Sequence, residues 1–315
     1  LVPKIVYDTK MSRVRFSQVE AISKLPGVSL TIGGPGWPGW DDTTNVTANI
    51  NSMNISRKDL GVNAVFSYQM ENLHDVTFRK IVQYNEAYDV SKVNEYVRKN
   101  KIDLVIFHHE NDMGLYDFWG QSIKRVHIPH CADTTIYYDY GLTKDIDILV
   151  AGNLNEYYYP FRYRLMLLAK TWFRKRGYKV VILNHPGYTL PPREGTYVGA
   201  EFAKMLNRSR LVFTCSMRYN YALAKYSEIG QCRSLAVGDL PAERQDFFRE
   251  TILNVEPWMT DKQIIDKVEG LLDDSGNTLY ELTEKSYKMN RDTSSMEHYA
   301  VNFLRITKEI FRIGV

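Results

Sequence analysis

Apolar positions along the chain fall into short continuous runs and stretches at helical spacing, and the two alternate almost from end to end. Runs at residues 4–7, 28–32, 64–68, 102–107 and 125–128 predict strands. Residues 17–24, with Val19 and Ile22 on one face, and residues 90–99 predict amphipathic helices, the first stopped by Pro26 and Gly27. After residue 144 the pattern restarts. Residues 145–154 predict a strand ending in Gly152 and Asn153, followed by a long helix to Arg176 that spaces Leu165, Leu168, Ala169 and Trp172 on one face. Strands follow at 178–183, 210–215, 234–237 and 252–255, with helices at 197–206 and around Lys225 and Glu228, a polar helix start at 243–249, and three terminal helices at 261–272, 279–289 and 297–311. Tyr221, Lys225 and Glu228, spaced i, i+4 and i+7, are expected on one helix face.

Strand and helix in alternation predict an α/β fold with parallel, doubly wound sheets, and ligands in such sheets sit where strands end and helices begin. The chain has 315 residues, enough for two domains, and residues 137–144 read as the linker between them. Forty basic against 37 acidic residues leave a formal charge of +3, which demands neither nucleic acid nor an anionic membrane as partner. Cys131, Cys215 and Cys232 are widely spaced, which fits reduced thiols and a cytoplasmic location better than a disulfide framework or a zinc site. No apolar run is long enough for a transmembrane segment, although peripheral membrane contact stays open. The sequons at Asn45, Asn54 and Asn207 are read as chance triplets.

Several stretches carry candidate chemistry. Residues 33–42, GGPGWPGWDD, form a loop whose Trp37 and Trp40 either stack on a sugar ring or pin the loop. Asp41 or Asp42 is placed to take a proton from an acceptor hydroxyl, or is a plain turn carboxylate. His108 and His109 end a strand, but adjacent side chains of an extended chain diverge, so pocket lining is expected there instead of a metal site. His130 follows the next strand and has the chemistry to hold a phosphate or sugar oxygen, or is a satisfied structural group. Arg162 and Arg164 near a helix start can add guanidinium donors to an anion already favoured by the helix amino end, or belong to a solvated basic face. Asp145 and Asp147 make a D-x-D triplet at the head of a buried strand, read as chance.

With these elements in place the second half resembles the donor domain of GT-B glycosyltransferases, in particular the group 1 type related to spore-coat-maturation proteins and to family 4. The resemblance rests on Gly152-Asn153, Tyr159-Pro160 with Arg162, Ser209 to Ser216, Lys225 with Ser227-Glu228-Ile229, Gly238, and His130 before the second domain. It implies two Rossmann-like domains facing a cleft: residues 1–140 binding the acceptor, 141–295 binding a nucleotide-sugar donor, and a helix at 296–315 returning to the first domain. It implies transfer of a sugar from a nucleotide diphosphate sugar, UDP- or GDP-linked, to a glycan or other hydroxyl acceptor, with no cofactor and no metal. Glu228 would accept from the ribose hydroxyls, and Lys225 with the turn before its helix would face the diphosphate. Gly152, Asn153, Arg162, Tyr188, Cys215, Ser216, Arg218 and Tyr221 complete the expected donor site. Trp37, Trp40 and His109 are expected at the acceptor, with His130, Asp41 and Asp42 as catalytic candidates. Retaining family 4 enzymes carry a second glutamate where this chain has Asn220, which leaves retention or inversion open. A non-catalytic glycan-binding or coat protein and a sugar-nucleotide epimerase are the alternatives on the same scaffold.

Overall fold

The computed structural model describes residues 1, 4, 13–53, 64–67, 72–84, 90–116, 123–187 and 193–312, without side chains at 13–16 and 64–67. Contacts divide the chain into two units, Leu1–Pro129 with Met296–Val315, and His130–Ser295.

In the first unit the described residues form a parallel sheet in the order β1-β2-β3-β4: Ala64–Ser67, Arg79–Tyr84, Leu104–Phe107 and Lys124–His127. Helix α1 spans Arg13–Ser23, and α2, Val46–Ser52, is capped by Asn45, whose side chain accepts from Ala48 N–H at 2.8 Å. Helix α3, Val90–Lys99, keeps the bounds its pattern predicts and buries Val93, Tyr96 and Val97. Residues 28–32 form no strand, because Leu30 stands 40% exposed and the run offers no face to a core. Of the strand expected at 4–7 only Lys4 lies within the described residues, and it is helical.

A buried polar chain ties this unit together. His108 Nδ1 donates to Ile128 O at 2.8 Å, which leaves Nε2 to accept from the amides of Gln18 and Gln83. Tyr299 donates its hydroxyl to Gln83 Oε1 from the last helix, Met296–Phe311, which packs against α1.

The second unit has the strand order β6-β5-β7-β8-β9: Val180–Ile182, Ile146–Val150, Ser209–Phe213, Leu235–Gly238 and Ile252–Asn254, all parallel. Its helices are α4 (Pro160–Leu168, extended by a π-helical turn Ala169–Phe173), α5 (Gly199–Asn207), α6 (Ala224–Gln231), α7 (Gln245–Thr251), α8 (Asp261–Leu272) and α9 (Thr278–Thr293); the closing helix Met296–Phe311 is α10. Apolar clusters cover both faces of the sheet, one around Leu149, Val212 and Ile229, the other around Ile148, Phe213 and Val268. This is the burial a parallel sheet requires.

Residues 137–144, expected as linker, are fastened to this unit. Tyr137 enters its core, Asp139 pairs with Arg233 at 2.9 Å, and Lys144 Nζ donates to Arg233 O and Ser234 Oγ at 2.6 and 2.8 Å. The side chain of Asn207 is buried between Leu142, Asp139 and Cys232, so that sequon is part of the same fastening. Asn45 is a helix cap, and Asn54 lies outside the described residues.

Candidate functional site

In a sheet ordered β6-β5-β7 the chain runs from β5 out to β6 and then crosses back past β5 to β7, so the switch point lies at the carboxyl ends of β5 and β7. Gly152 stands there with φ +110°, and a Cβ on it would lie 2.7 Å from a terminal nitrogen of Arg162. Only glycine admits that backbone and that approach. Arg162 is the third residue of α4 and is 2% exposed. Its terminal nitrogens donate to Asn153 O at 3.1 Å and Thr214 Oγ1 at 3.4 Å, and its guanidinium lies 4.5 Å from the centre of the Tyr159 ring. Nε has no hydrogen-bond partner, and no carboxylate lies within ion-pair distance among the described residues. A buried cation with a spare donor, at a helix start whose N-cap residue Tyr159 makes no side-chain cap bond, can receive an anion.

Other cations converge on the same place. His185, beyond β6, accepts from Gly187 N–H through Nδ1 at 3.0 Å, so its neutral form carries the proton on Nε2. Burial pushes its pKa below the ordinary value, and Lys225, Arg162 and Arg193 push it further. Lys225 Nζ is 2.7 Å from Glu228 Oε2 and 4.1 Å from the centre of the Phe202 ring. Tyr188 lies outside the described residues.

The turn after β7 is less open than its polarity predicts. Ser216 is fully buried and gives its N–H and its hydroxyl to the two oxygens of Asp239, at 2.8 and 2.5 Å, while Tyr226 OH donates to Asp239 O at 2.8 Å. Burial raises the Asp239 pKa against those bonds. Cys215 is a core thiol whose pKa burial raises. Gly238 brings β8 against this turn, since a Cβ there would sit 2.8 Å from Thr214 O. Met217 and Asn220 have φ of 53° and 57°, and Asn220 O accepts from Ala242 N–H. Tyr221 precedes α6 instead of sharing its face with Lys225 and Glu228, and its buried ring stacks 5.5 Å from that of Tyr219. Arg218 is exposed, its guanidinium 4.2 Å from the Tyr157 ring centre.

In the first unit Trp37 is half-buried with the Lys4 ammonium 5.7 Å from its ring, and Trp40 packs on the core. Asp41 closes an Asx turn, accepting from the Thr43 hydroxyl at 2.6 Å and N–H at 2.8 Å, and these bonds hold its pKa below the ordinary value. Asp42 is exposed. His109, expected at the acceptor, is fully buried and shows no surface; His130 is 5% exposed. The D-x-D carboxylates are spent on basic neighbours, Asp145 on Arg208 and Lys179, Asp147 on Arg210.

The sequence pattern alone does not single out His185, Thr214 and Asp239 as site residues. Each stands at a strand's carboxyl end, a signal visible in the pattern, but their joint placement depends on the sheet order.

Two parallel α/β units of this kind are the fold of GT-B glycosyltransferases. Solved structures sharing it include S. aureus TarM in complex with fondaparinux, α-GlcNAc-glycerol and UDP, at TM-score 0.53 and 14% identity over 72% of this chain and 50% of that one. Trehalose-6-phosphate synthase gives 0.52 and 10% over 74% and 69%, and sucrose-phosphate synthase from Thermosynechococcus elongatus 0.51 and 12% over 75% and 68%. The chain thus spans about half to two thirds of these proteins, and at such identities the likeness establishes the fold. No protein-family model matches the chain, and no curated protein sequence does.

Proposed function

We propose that this chain is a glycosyltransferase of the group 1 type, moving a sugar from a nucleotide diphosphate sugar to a hydroxyl of a glycan or glycoconjugate. The observation that carries the reading is Arg162: a buried guanidinium without a carboxylate partner among the described residues, beside the amino end of α4 and the carboxyl ends of β5 and β7. The diphosphate is its natural counter-ion. Breaking the bond between sugar and phosphate puts a new negative charge on the leaving diphosphate, and fixed donors already aimed there lower the barrier without a metal. Arg162 and Lys225 supply those donors, and Glu228 accepts from the ribose diol. Lys225 must then exchange part of its bond with Glu228 for the phosphate.

Trp37 and Trp40 serve the acceptor, whose proton goes to Asp42 or His130 in preference to Asp41, because the Thr43 bonds favour the ionised Asp41 and weaken it as a base. The fold shared with structures of two sugar-phosphate synthases and a UDP-bound TarM supports the reading.

Calorimetry with UDP-, GDP- and dTDP-sugars tests it. Wild type is expected to bind at least one of them, and Arg162→Ala to lose about 1.5–3 kcal/mol of that affinity. Absence of binding to the whole panel would overturn the reading.

A further inference from the structure

A second cationic site lies at the opposite end of a sheet, within the first unit. A surface pocket of about 450 Å³ opens at the amino ends of β2 and β3, lined by Arg79, Lys80, Lys101 and Asp103 with Val76 and Phe78. That volume is in the range of small-molecule sites. Lys80 is 6% exposed, yet its ammonium makes one long hydrogen bond, to Leu73 O at 3.4 Å, and no carboxylate lies within ion-pair distance of it among the described residues. The carboxylate that lines the pocket is already committed: Asp103 Oδ1 pairs with Arg79 at 2.9 Å and Oδ2 accepts the Lys80 N–H at 2.8 Å. Asp75, farther out, is paired with His74 at 2.8 Å.

Three cations thus face one occupied carboxylate, leaving an excess of two positive charges around a cavity. A buried ammonium with donors to spare is costly to keep unless an anion arrives to meet it. A phosphate dianion matches the excess charge and uses the spare donors. We propose that this pocket binds the phosphate group of a small molecule, with Lys80 as its buried counter-ion and Arg79 and Lys101 beside it. Its residues belong to the first unit, and those around Arg162 to the second. Burial lowers the Lys80 pKa, partly offset by Asp103 and aggravated by Lys101, and a bound phosphate would reverse that direction.

The test is thermal unfolding and calorimetry of the full chain in inorganic phosphate, and separately in glucose 6-phosphate, against chloride at matched ionic strength. Both ligands are expected to raise the melting temperature of wild type, because a ligand that binds only the folded state stabilises it. Tighter binding of glucose 6-phosphate would assign the site to a phosphorylated metabolite, and equal binding to free phosphate; either outcome supports an anion site. Lys80→Met should remove the response and, in chloride, melt no lower than wild type. Lys101→Asn, which removes a charge at a residue with φ 51° where asparagine is tolerated, should weaken binding several-fold while keeping the fold. Because phosphate can also meet Arg162, the Lys80 and Lys101 variants are compared in the Arg162→Ala background, which should itself keep the response. A wild type that does not respond, a response surviving in both Lys80→Met and Lys101→Asn, or one lost only in Arg162→Ala overturns the proposal.

Discussion

Lys225 and Glu228, one turn apart on α6, hold each other at 2.7 Å while the ammonium also sits over the Phe202 ring. On an exposed helix such a pair is worth a few tenths of a kcal/mol. Here both side chains are mostly buried, 21% and 14% exposed, so each is fixed in place where the donor site is proposed. Glu228→Ala is therefore expected to weaken nucleotide-sugar binding at least tenfold while the protein stays folded by circular dichroism. Unchanged affinity would reduce Glu228 to an ion-pair partner.

His185 feels Lys225 on α6, Arg162 on α4 and Arg193 in the loop before α5, and burial together with these cations holds its pKa below the ordinary value. A bound diphosphate reverses the sign of the local field and raises that pKa, so protonation and binding favour each other. Nucleotide-sugar affinity should rise as pH falls through the bound-state pKa of His185, and calorimetry in buffers of different ionisation heat should show proton uptake. His185→Gln should flatten the dependence; an unaltered profile would place the titrating group elsewhere.

Lys144 predicts a stability effect in the opposite part of the scale. Burial lowers its pKa from 10.5 to about 8, so between those values the unfolded chain binds a proton that the folded chain has released. Stability contributed through this group should rise with pH across that window, and the cost of burying the ammonium is fully present below it. Denaturant melts at pH 8 and pH 10 should show the slope in wild type and lose it in Lys144→Met.

Asp41 gives a prediction of small effect. Asparagine can still accept from the Thr43 N–H and hydroxyl, so Asp41→Asn should keep the turn and leave turnover within a few-fold of wild type. A base contributes about 10²- to 10⁴-fold, and a fall of that size would return Asp41 to that role.

Helices with a clear polar face were legible in the sequence: α3 and α8 have the bounds their patterns predict. Strand β2 was not, because Arg79, Lys80 and Gln83 interrupt the apolar signal and leave Ile81 and Val82 as its core. The run at 28–32 has strand chemistry without a face to bury, and pattern alone cannot register that. At the site, Arg162 was legible from its place at a helix start and from the family likeness. His185 was visible as a strand-end residue, but its electrostatic neighbours come from positions 162, 193 and 225, which only the fold assembles. Ser216 and Cys215 mislead in the other direction, since a polar turn is expected outside and this one turns inward to Asp239.

The bond from Tyr299 to Gln83 joins residues 216 positions apart and has a consequence for biosynthesis. The unit that begins the chain is closed by the helix near its end, whereas His130–Ser295 is one continuous stretch. On the ribosome, the later unit therefore has all its parts first, while the earlier one keeps an unfilled flank until α10 emerges. A nascent chain stalled before residue 296 should expose that flank to chaperones.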